Sequence, residues 1–406
     1  MRIDFVVPRY GVRGGAENAV RMTAERVSSL LGWDVHLHAT TARSSGSWAN
    51  EDPQGIEIIN GVTVHRHHVD SGRTAEWGPL NERVKASPTT IDPVSEAAFF
   101  ATQGPVSSAL ARAVARSDAE LIVFAPYLFW TTVGVLGTVA ERALVVPAAH
   151  DEPFLRLPSV QAVLTAAKGL VYGCAAERAL LESVMPVAHL PHTVLGWGID
   201  APADAGESSP GDRQSLVADG YLPDDGRPYV LCVGRIEHAK GTVGLAAFWR
   251  AYQERLGSDH RLVLMGERNA EIATDDNLVV VENADDATKW RLLRGADVMI
   301  TPSAMESFSL VVFEAWAAGT PVLVNRHCGA THDHARHSGG GLWYGNYPEF
   351  EVSLSRLLAD SDLRQTLARR GEEYGRTHYS WDAIVERFRR LCERVVETQV
   401  AANNAG

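Results

Sequence analysis

The sequence predicts an α/β protein made of two Rossmann-like, doubly wound parallel sheets, and three observations carry that expectation. Apolar runs of strand length alternate with stretches of helical periodicity along the whole chain. The strand candidates are mostly apolar throughout, as strands covered on both faces are. The alternation stops once, at a Pro/Ala/Gly/Ser-rich stretch from Gly196 to about Gln214, and then restarts. With 406 residues, each half is large enough to bury its own core. The expected division is 1–205, 206–380 and a last helix over 381–406.

In chain order, Ile3 to Pro8 reads as a short buried strand. The loop Arg9-Tyr10-Gly11-Val12-Arg13-Gly14-Gly15 follows, and then a helix from about Glu17 to Leu31. A strand, a glycine loop and a helix N-terminus make an anion site or, with equal right, a plain turn. Val35–Thr40 and Val62–His67 are strands, separated and followed by polar loops over Ala42–Gly55 and Ser71–Pro93. Both loops are long enough to serve binding, and each carries a tryptophan, Trp48 and Trp77. His65, His67 and His68 fall on a half-exposed strand pattern and are not read as a metal site. Ser107–Arg116 is helical and Leu121–Ala125 is a strand with Tyr127-Leu128-Phe129-Trp130 at its carboxyl end, where open parallel sheets bind ligands. Ala143–Ala149 is a strand ending in His150-Asp151-Glu152; Gly169–Tyr172, a helix near Ala175–Leu181 and Val187–Leu190 complete the first half.

The second half opens with a strand over Tyr229–Val233, the loop Gly234-Arg235-Ile236-Glu237-His238-Ala239-Lys240-Gly241 and a helix from Thr242 to about Arg255. Strands at Leu262–Met265, Leu278–Val281, Val298–Ile300 and Val322–Asn325 alternate with helices at Asp286–Gly295 and Ser309–Ala318. Glu349–Leu358, Leu363–Tyr374 and about Asp382–Thr398 are the closing helices. Within this half, Glu306 to Gly319 is the stretch richest in chemistry. Glu306 follows a strand, Ser307 and Ser309 are helix-capping residue types, and Glu314 lies in a helix otherwise made of apolar side chains. A carboxylate there needs a partner, and a hydroxyl-rich ligand at the helix N-terminus meets that need for both glutamates.

Glu306, seven intervening residues and Glu314, then Ala-Trp-Ala-Ala-Gly-Thr-Pro-Val, resemble the E-x7-E signature of retaining glycosyltransferases of the GT-B fold, family GT4. Gly14-Gly15-Ala16-Glu17, Ala149-His150-Asp151-Glu152 and Gly234-Arg235 with Lys240-Gly241 match the same family in order and spacing, so the resemblance covers nearly the whole chain. Ser307 and Ser309 depart from it, since many relatives carry glycines there. The resemblance implies two sheet domains facing a central cleft, with the last helix crossing back to brace the first. It implies transfer of a sugar from a nucleotide-diphosphate donor, a UDP- or GDP-sugar, to a hydroxyl acceptor that is a glycan, a lipid-linked group or a small molecule. Glu306, Arg235, Lys240 and His150 are then the expected catalytic residues. The donor site comprises Gly14, Gly15, Arg235, Lys240, Glu306, Ser307, Phe308, Ser309, Leu310 and Glu314. No metal and no further cofactor are expected.

Other classes fare worse. A net charge of -12 argues against nucleic acid and disfavours, without excluding, peripheral contact with an anionic membrane. No apolar run approaches a membrane span of roughly 20 residues, and the chain enters its first strand with no signal peptide, so a cytoplasmic location is expected. Cys174, Cys232, Cys328 and Cys392 are scattered in or beside apolar segments and read as buried thiols in a reducing compartment. Cys328, His332, His334 and His337 are close in sequence but lack the spacing of a zinc site. A nucleotide-cofactor oxidoreductase would want a G-x-G-x-x-G turn, which neither half supplies. A catalytically silent partner subunit would be marked by loss of Glu306, Arg235 or Lys240, and all three are present.

Overall fold

A computed structural model describes every residue except 12–14, 208 and 406. The chain forms two compact units, Met1–Trp197 together with Trp381–Gly406, and Gly198–Ser380. The first contains an eight-stranded sheet in the order β3-β4-β2-β1-β5-β6-β7-β8. In chain order these strands are β1 (Arg2–Arg9), β2 (Asp34–Thr40), β3 (Gly55–Ile59), β4 (Val62–His67), β5 (Leu121–Phe124), β6 (Ala143–Val145), β7 (Gly169–Tyr172) and β8 (His192–Val194). All pairings are parallel except β3 with β4. The second unit contains a six-stranded parallel sheet in the order β11-β10-β9-β12-β13-β14. Its strands are β9 (Tyr229–Val233), β10 (Arg261–Met265), β11 (Leu278–Val281), β12 (Val298–Thr301), β13 (Val322–Asn325) and β14 (Gly341–Tyr344).

The central strands are buried from end to end, β5, β7, β10 and β12 without exception, because helices cover both faces of each sheet. In the first unit Val6, Ile122, Phe124, Val145 and Leu170 meet Phe99, Leu110, Val114 and Leu164 from the helices. In the second, Val230, Leu262, Leu264 and Ile300 meet Leu245, Trp249, Phe350 and Leu354. All four cysteines are buried thiols outside any disulfide. Burial, and next the charge of Glu306, pushes the Cys232 thiol up to about 12. Among the described residues no helix is long and apolar enough to cross a membrane.

The last helix, Trp381–Ala405, belongs to the first unit. Ile384, Phe388, Leu391, Cys392 and Val395 form its buried stripe, and the Phe388 ring stacks 6.1 Å from Phe5 of β1. Arg26 of the helix Gly15–Leu31 lies 5.4 Å over the Trp381 ring, and Arg387 donates to the Leu195 carbonyl at 2.7 Å. Periodicity with an i, i+3/i+4/i+7 apolar stripe made this helix legible.

Several local readings change. The loop Ser71–Pro93 contains a helix, Trp77–Ala86, and the next helix, Pro93–Gln103, begins where Asp92 accepts from the Ser95 amide at 2.9 Å with Pro93 in the first turn. The segment Val187–Leu190 is a turn whose Val187 and Leu190 pack against the core, and the strand follows at β8. β6 ends at Val145, short of Ala149, because Ala148 turns the chain with φ +53°. β3 pairs with β4 through Asn60-Gly61, both at positive φ, a tight hairpin turn. The spacer near Gln214 holds the helix Pro210–Ala218. On β4, His65 and His67 stack against His36 and His38 of β2, and burial lowers both to about 4, so they are neutral.

Candidate functional site

In the second unit the sheet order reverses between β9 and β12. β10 and β11 lie to one side, β13 and β14 to the other. The crevice at the carboxyl ends of two such strands is where open α/β sheets take ligands. Both expected donor segments leave from there: Gly234–Gly241 after β9, and residues 302–309 after β12.

The two loops are fitted to one another. Gly241 has φ +74°, and a Cβ on it would lie 2.7 Å from the Pro302 carbonyl oxygen. Only glycine meets both conditions without strain. Asn325 at the end of β13 donates to that same carbonyl at 2.9 Å. Thr242 braces the first loop, its hydroxyl accepting from the Glu237 amide at 2.8 Å and donating to the Glu237 carbonyl at 3.0 Å. Across this seam the Lys240 ammonium donates to Glu306 Oε1 at 2.8 Å, with side-chain exposures of 28% and 20%. Arg235 points elsewhere. It is 55% exposed and pairs with Glu237 at 3.1 Å. The two cations are thus on one loop, each with its own carboxylate.

Glu314 lies on the helix Leu310–Ala317, beside buried Phe313 and Ala315. The partner demanded by that setting is already in the protein: Lys289 of the helix Asp286–Gly295 donates to Glu314 Oε1 at 2.7 Å. The need for a partner, expected to be met by a ligand's hydroxyls, is met here by a lysine. Lys289 gave no sequence signal, because the 25 positions separating it from Glu314 are closed by tertiary packing alone.

The serines also behave differently from a capping pair. Ser309 occupies the N-cap position with φ +74° and ψ +80°, and its side chain makes no capping bond. Capping needs an extended N-cap residue, so the positive φ itself removes the hydroxyl from the first-turn amides. A non-glycine residue in this region costs about 1–3 kcal/mol. The strain turns the chain from buried Phe308 into the helix, leaving the first-turn N–H groups at the loop that carries Glu306. Phe308 stacks on Phe313 with centroids 4.6 Å apart and meets His334 and Tyr379 edge-on. Its side chain is core, which leaves only its backbone for a ligand. Burial holds His334 neutral, lowering it to about 3. His332 lies against Trp343 and His337 faces Asp333, so the three histidines of this helix serve different partners.

In the first unit Gly14 falls among residues 12–14, outside the described residues. Gly15 opens its helix with φ +74°, and Glu17 in the first turn accepts from Arg9 at 2.8 Å. His150 follows the Ala148 turn, half-buried, with Nδ1 covered and unpartnered. What holds this turn was not read from the sequence. The fully buried Glu177 carboxylate accepts from the amides of Ala149 at 2.6 Å and Gly173 at 2.5 Å. Desolvation outweighs those amide bonds and pushes Glu177 up to about 7. Beside it the Tyr127 hydroxyl donates to Glu152 at 2.6 Å, so Tyr127 is core. Trp48 is core as well, with Phe129 edge-on at 5.1 Å.

Residues 218–374 match the family described as glycosyl transferases group 1. The D-inositol 3-phosphate glycosyltransferase of Segniliparus rotundus is 30% identical over 198 residues, 45% of this chain and 43% of that protein. An uncharacterized glycosyltransferase of Methanocaldococcus jannaschii is 29% identical over 40% of this chain and 44% of its own length. Against both, the matched stretch spans less than half of the relative. The D-inositol 3-phosphate glycosyltransferase of Acidothermus cellulolyticus is 28% identical over 94% of this chain and 85% of that protein. Among solved structures, sucrose-phosphate synthase from Thermosynechococcus elongatus superposes with a TM-score of 0.69 at 20% identity, covering 98% of this chain and 99% of that one. An α,α-trehalose 6-phosphate synthase from Burkholderia multivorans does so with 0.70 at 13%, covering 98% and 99%.

Proposed function

Since residues 218–374 match the glycosyl transferases group 1 family and the chain has the GT-B fold, we propose that it is a GT4 glycosyltransferase that moves a sugar from a nucleotide-diphosphate donor to a hydroxyl acceptor, retaining the anomeric configuration and needing no metal. The observation that carries this reading is the Lys240–Glu306 pair at the β9/β12 switch point. The two side chains lie 2.8 Å apart on two loops locked by Gly241, and in this reading Lys240 serves the diphosphate and Glu306 the sugar hydroxyls.

In this scheme the bond from C1 to the diphosphate oxygen breaks while C1 bonds to the acceptor oxygen on the same face. The acceptor proton passes to the departing phosphate, and the nucleoside diphosphate leaves. Lys240 and Arg235 neutralise the charge growing on the diphosphate, Lys240 as a point charge and Arg235 as a fork. The backbone amides of Ser307, Phe308 and Ser309 in the loop and of Leu310 at the start of the helix add fixed dipoles. Glu306 accepts from sugar hydroxyls, and Glu314 exchanges Lys289 for the ribose hydroxyls. The roles of Gly14, Gly15 and His150, as phosphate and sugar contacts, rest on the family resemblance. Two cations here do the charge neutralisation that a magnesium ion does in other transferases.

The test begins with a thermal-shift panel of UDP, GDP, dTDP and ADP. A nucleotide at 100 times its Kd stabilises by about 2.7 kcal/mol. Transfer from the sugar donor of the nucleotide that binds is then measured with saturating EDTA, on wild type, Lys240→Ala and Arg235→Ala. Each substitution is expected to slow transfer on the order of 100-fold. Activity abolished by EDTA and restored by magnesium overturns the metal-free reading; full activity in the variants overturns the roles of the cations.

A further inference from the structure

Arg73 sits in the first unit, two residues past the Ser71 bridge to Val106 and just ahead of the helix Trp77–Ala86. Its guanidinium carbon lies over the Trp77 ring, 4.1 Å from the centroid. Its backbone is fixed from two directions. The Arg73 amide donates to the Ser47 carbonyl at 3.0 Å, and the Thr74 amide to the Thr102 carbonyl at 2.9 Å. Gly72 has no room for a side chain, since a Cβ there would collide with the Ser47 carbonyl oxygen. The arginine is therefore placed, not draped over the surface.

Its charge is unanswered. Among the described residues no carboxylate lies within 4.0 Å of it, in a chain whose net charge is -12. Glu76, three positions on, bonds to Thr74 instead. Burial lowers the Arg73 pKa, and no carboxylate acts on it in the opposite direction. Two donors at the stack, Arg73 Nε and Trp77 Nε1, are covered and unbonded. A partly buried cation whose covered Nε has no acceptor is better stabilised once something anionic completes it. A planar fork held on an aromatic face suits an oxyanion, which only accepts hydrogen bonds.

We propose that Arg73, stacked on Trp77, is an anion subsite for the acceptor, and that the acceptor carries a phosphate or carboxylate group beside its reacting hydroxyl. This rests on the transferase reading and narrows it to an anionic class of acceptor.

The test separates the two. Orthophosphate is titrated into the full chain while the nucleoside diphosphate from the thermal-shift panel saturates the donor site; acetate is titrated in parallel. Wild type is compared with Arg73→Gln and Arg73→Lys by calorimetry. Wild type is expected to bind one of the anions, Arg73→Gln to weaken it about tenfold or more, and Arg73→Lys to fall between. The stronger anion identifies phosphate or carboxylate as the natural group. Nucleotide binding by Arg73→Gln is expected to match wild type, which shows that the variant is folded. Anion binding equal in wild type and Arg73→Gln, or none by wild type, overturns the subsite and leaves the transferase reading standing. If no nucleotide binds at all, the transferase reading fails, and the anion titrations are run on the Arg235→Ala/Lys240→Ala double variant to judge Arg73 alone. If Arg73→Gln does not fold, Arg73→Lys decides: binding unchanged there counts against the fork.

Discussion

Glu177 provides the sharpest quantitative test, because it is a buried carboxylate with no cation. Folding moves its titration from an ordinary 4.5 to about 7. The folded state therefore binds a proton that the unfolded chain releases, throughout the window between those values. Stability from this group is greatest below about pH 4.5, falls as pH rises and is fully lost above about pH 7. The shift, about 2.5 units at 1.36 kcal/mol each, is on the order of 3 kcal/mol. Glu177→Gln removes the titration and keeps the shape. It leaves one of the two amides, Ala149 or Gly173, facing an NH2 group, at a cost of about 1–3 kcal/mol. The expectation is a variant less stable than wild type at pH 5 that draws level by pH 8. Urea melts of both proteins between those values check it. Parallel curves would falsify the idea that desolvation governs this carboxylate. The same variant is expected to disturb transfer, because the amides it loosens hold the turn into His150.

Three further outcomes follow from the packing. Glu314→Gln is expected to weaken nucleotide binding about tenfold, as a charge-assisted bond worth about 1.5–3 kcal/mol becomes a neutral one; calorimetry showing unchanged affinity would place the ribose elsewhere. Gly241→Ala must accommodate both φ +74° and a contact at 2.7 Å, so the loop carrying Lys240 has to move. Loss of at least about 1 kcal/mol in melts, with transfer reduced further than stability, is the expected signature; a wild-type melt and rate would refute it. A chain ending at Ser380 is expected to leave the first unit without cooperative unfolding while the second still binds nucleotide, since the removed helix buries Phe388 against Phe5. Hydrogen exchange resolves the two units, and native protection in β1 would contradict it.

What could be read from sequence followed a physical division. β7, β9, β11 and β13 lie where the sequence reading placed them, because a helix-covered strand is apolar along its length, and β4 does so through its alternating pattern. The edge strand β3 was lost because Ile56 and Ile58 are 70% and 75% exposed, and its marker was the short Asn60-Gly61 turn, not hydrophobicity. The helix Trp77–Ala86 buries only Asn81 and Val84, too little to stand out as an apolar stripe. Within the candidate site, Glu306, Lys240 and Gly241 stand in short sequence motifs, and the structure brings their two loops together. Their neighbours stand in none. Lys289 reaches Glu314, and Glu177 reaches Ala149, across 25 and 28 positions, with side chains that have ordinary surface roles elsewhere.

The order in which the chain is made gives the return of the last helix a consequence of its own. The second unit is one uninterrupted segment, Gly198–Ser380, so it is whole as soon as Ser380 is available. The first unit begins at Met1 yet lacks its covering helix until the final stretch is synthesised. Domains ordinarily mature in the direction of translation. Here the later-made unit is complete first, while the earlier one waits with Phe5 unmatched by Phe388. During that interval β1, β8 and the helix Gly15–Leu31 lack the apolar cover that the last helix gives them.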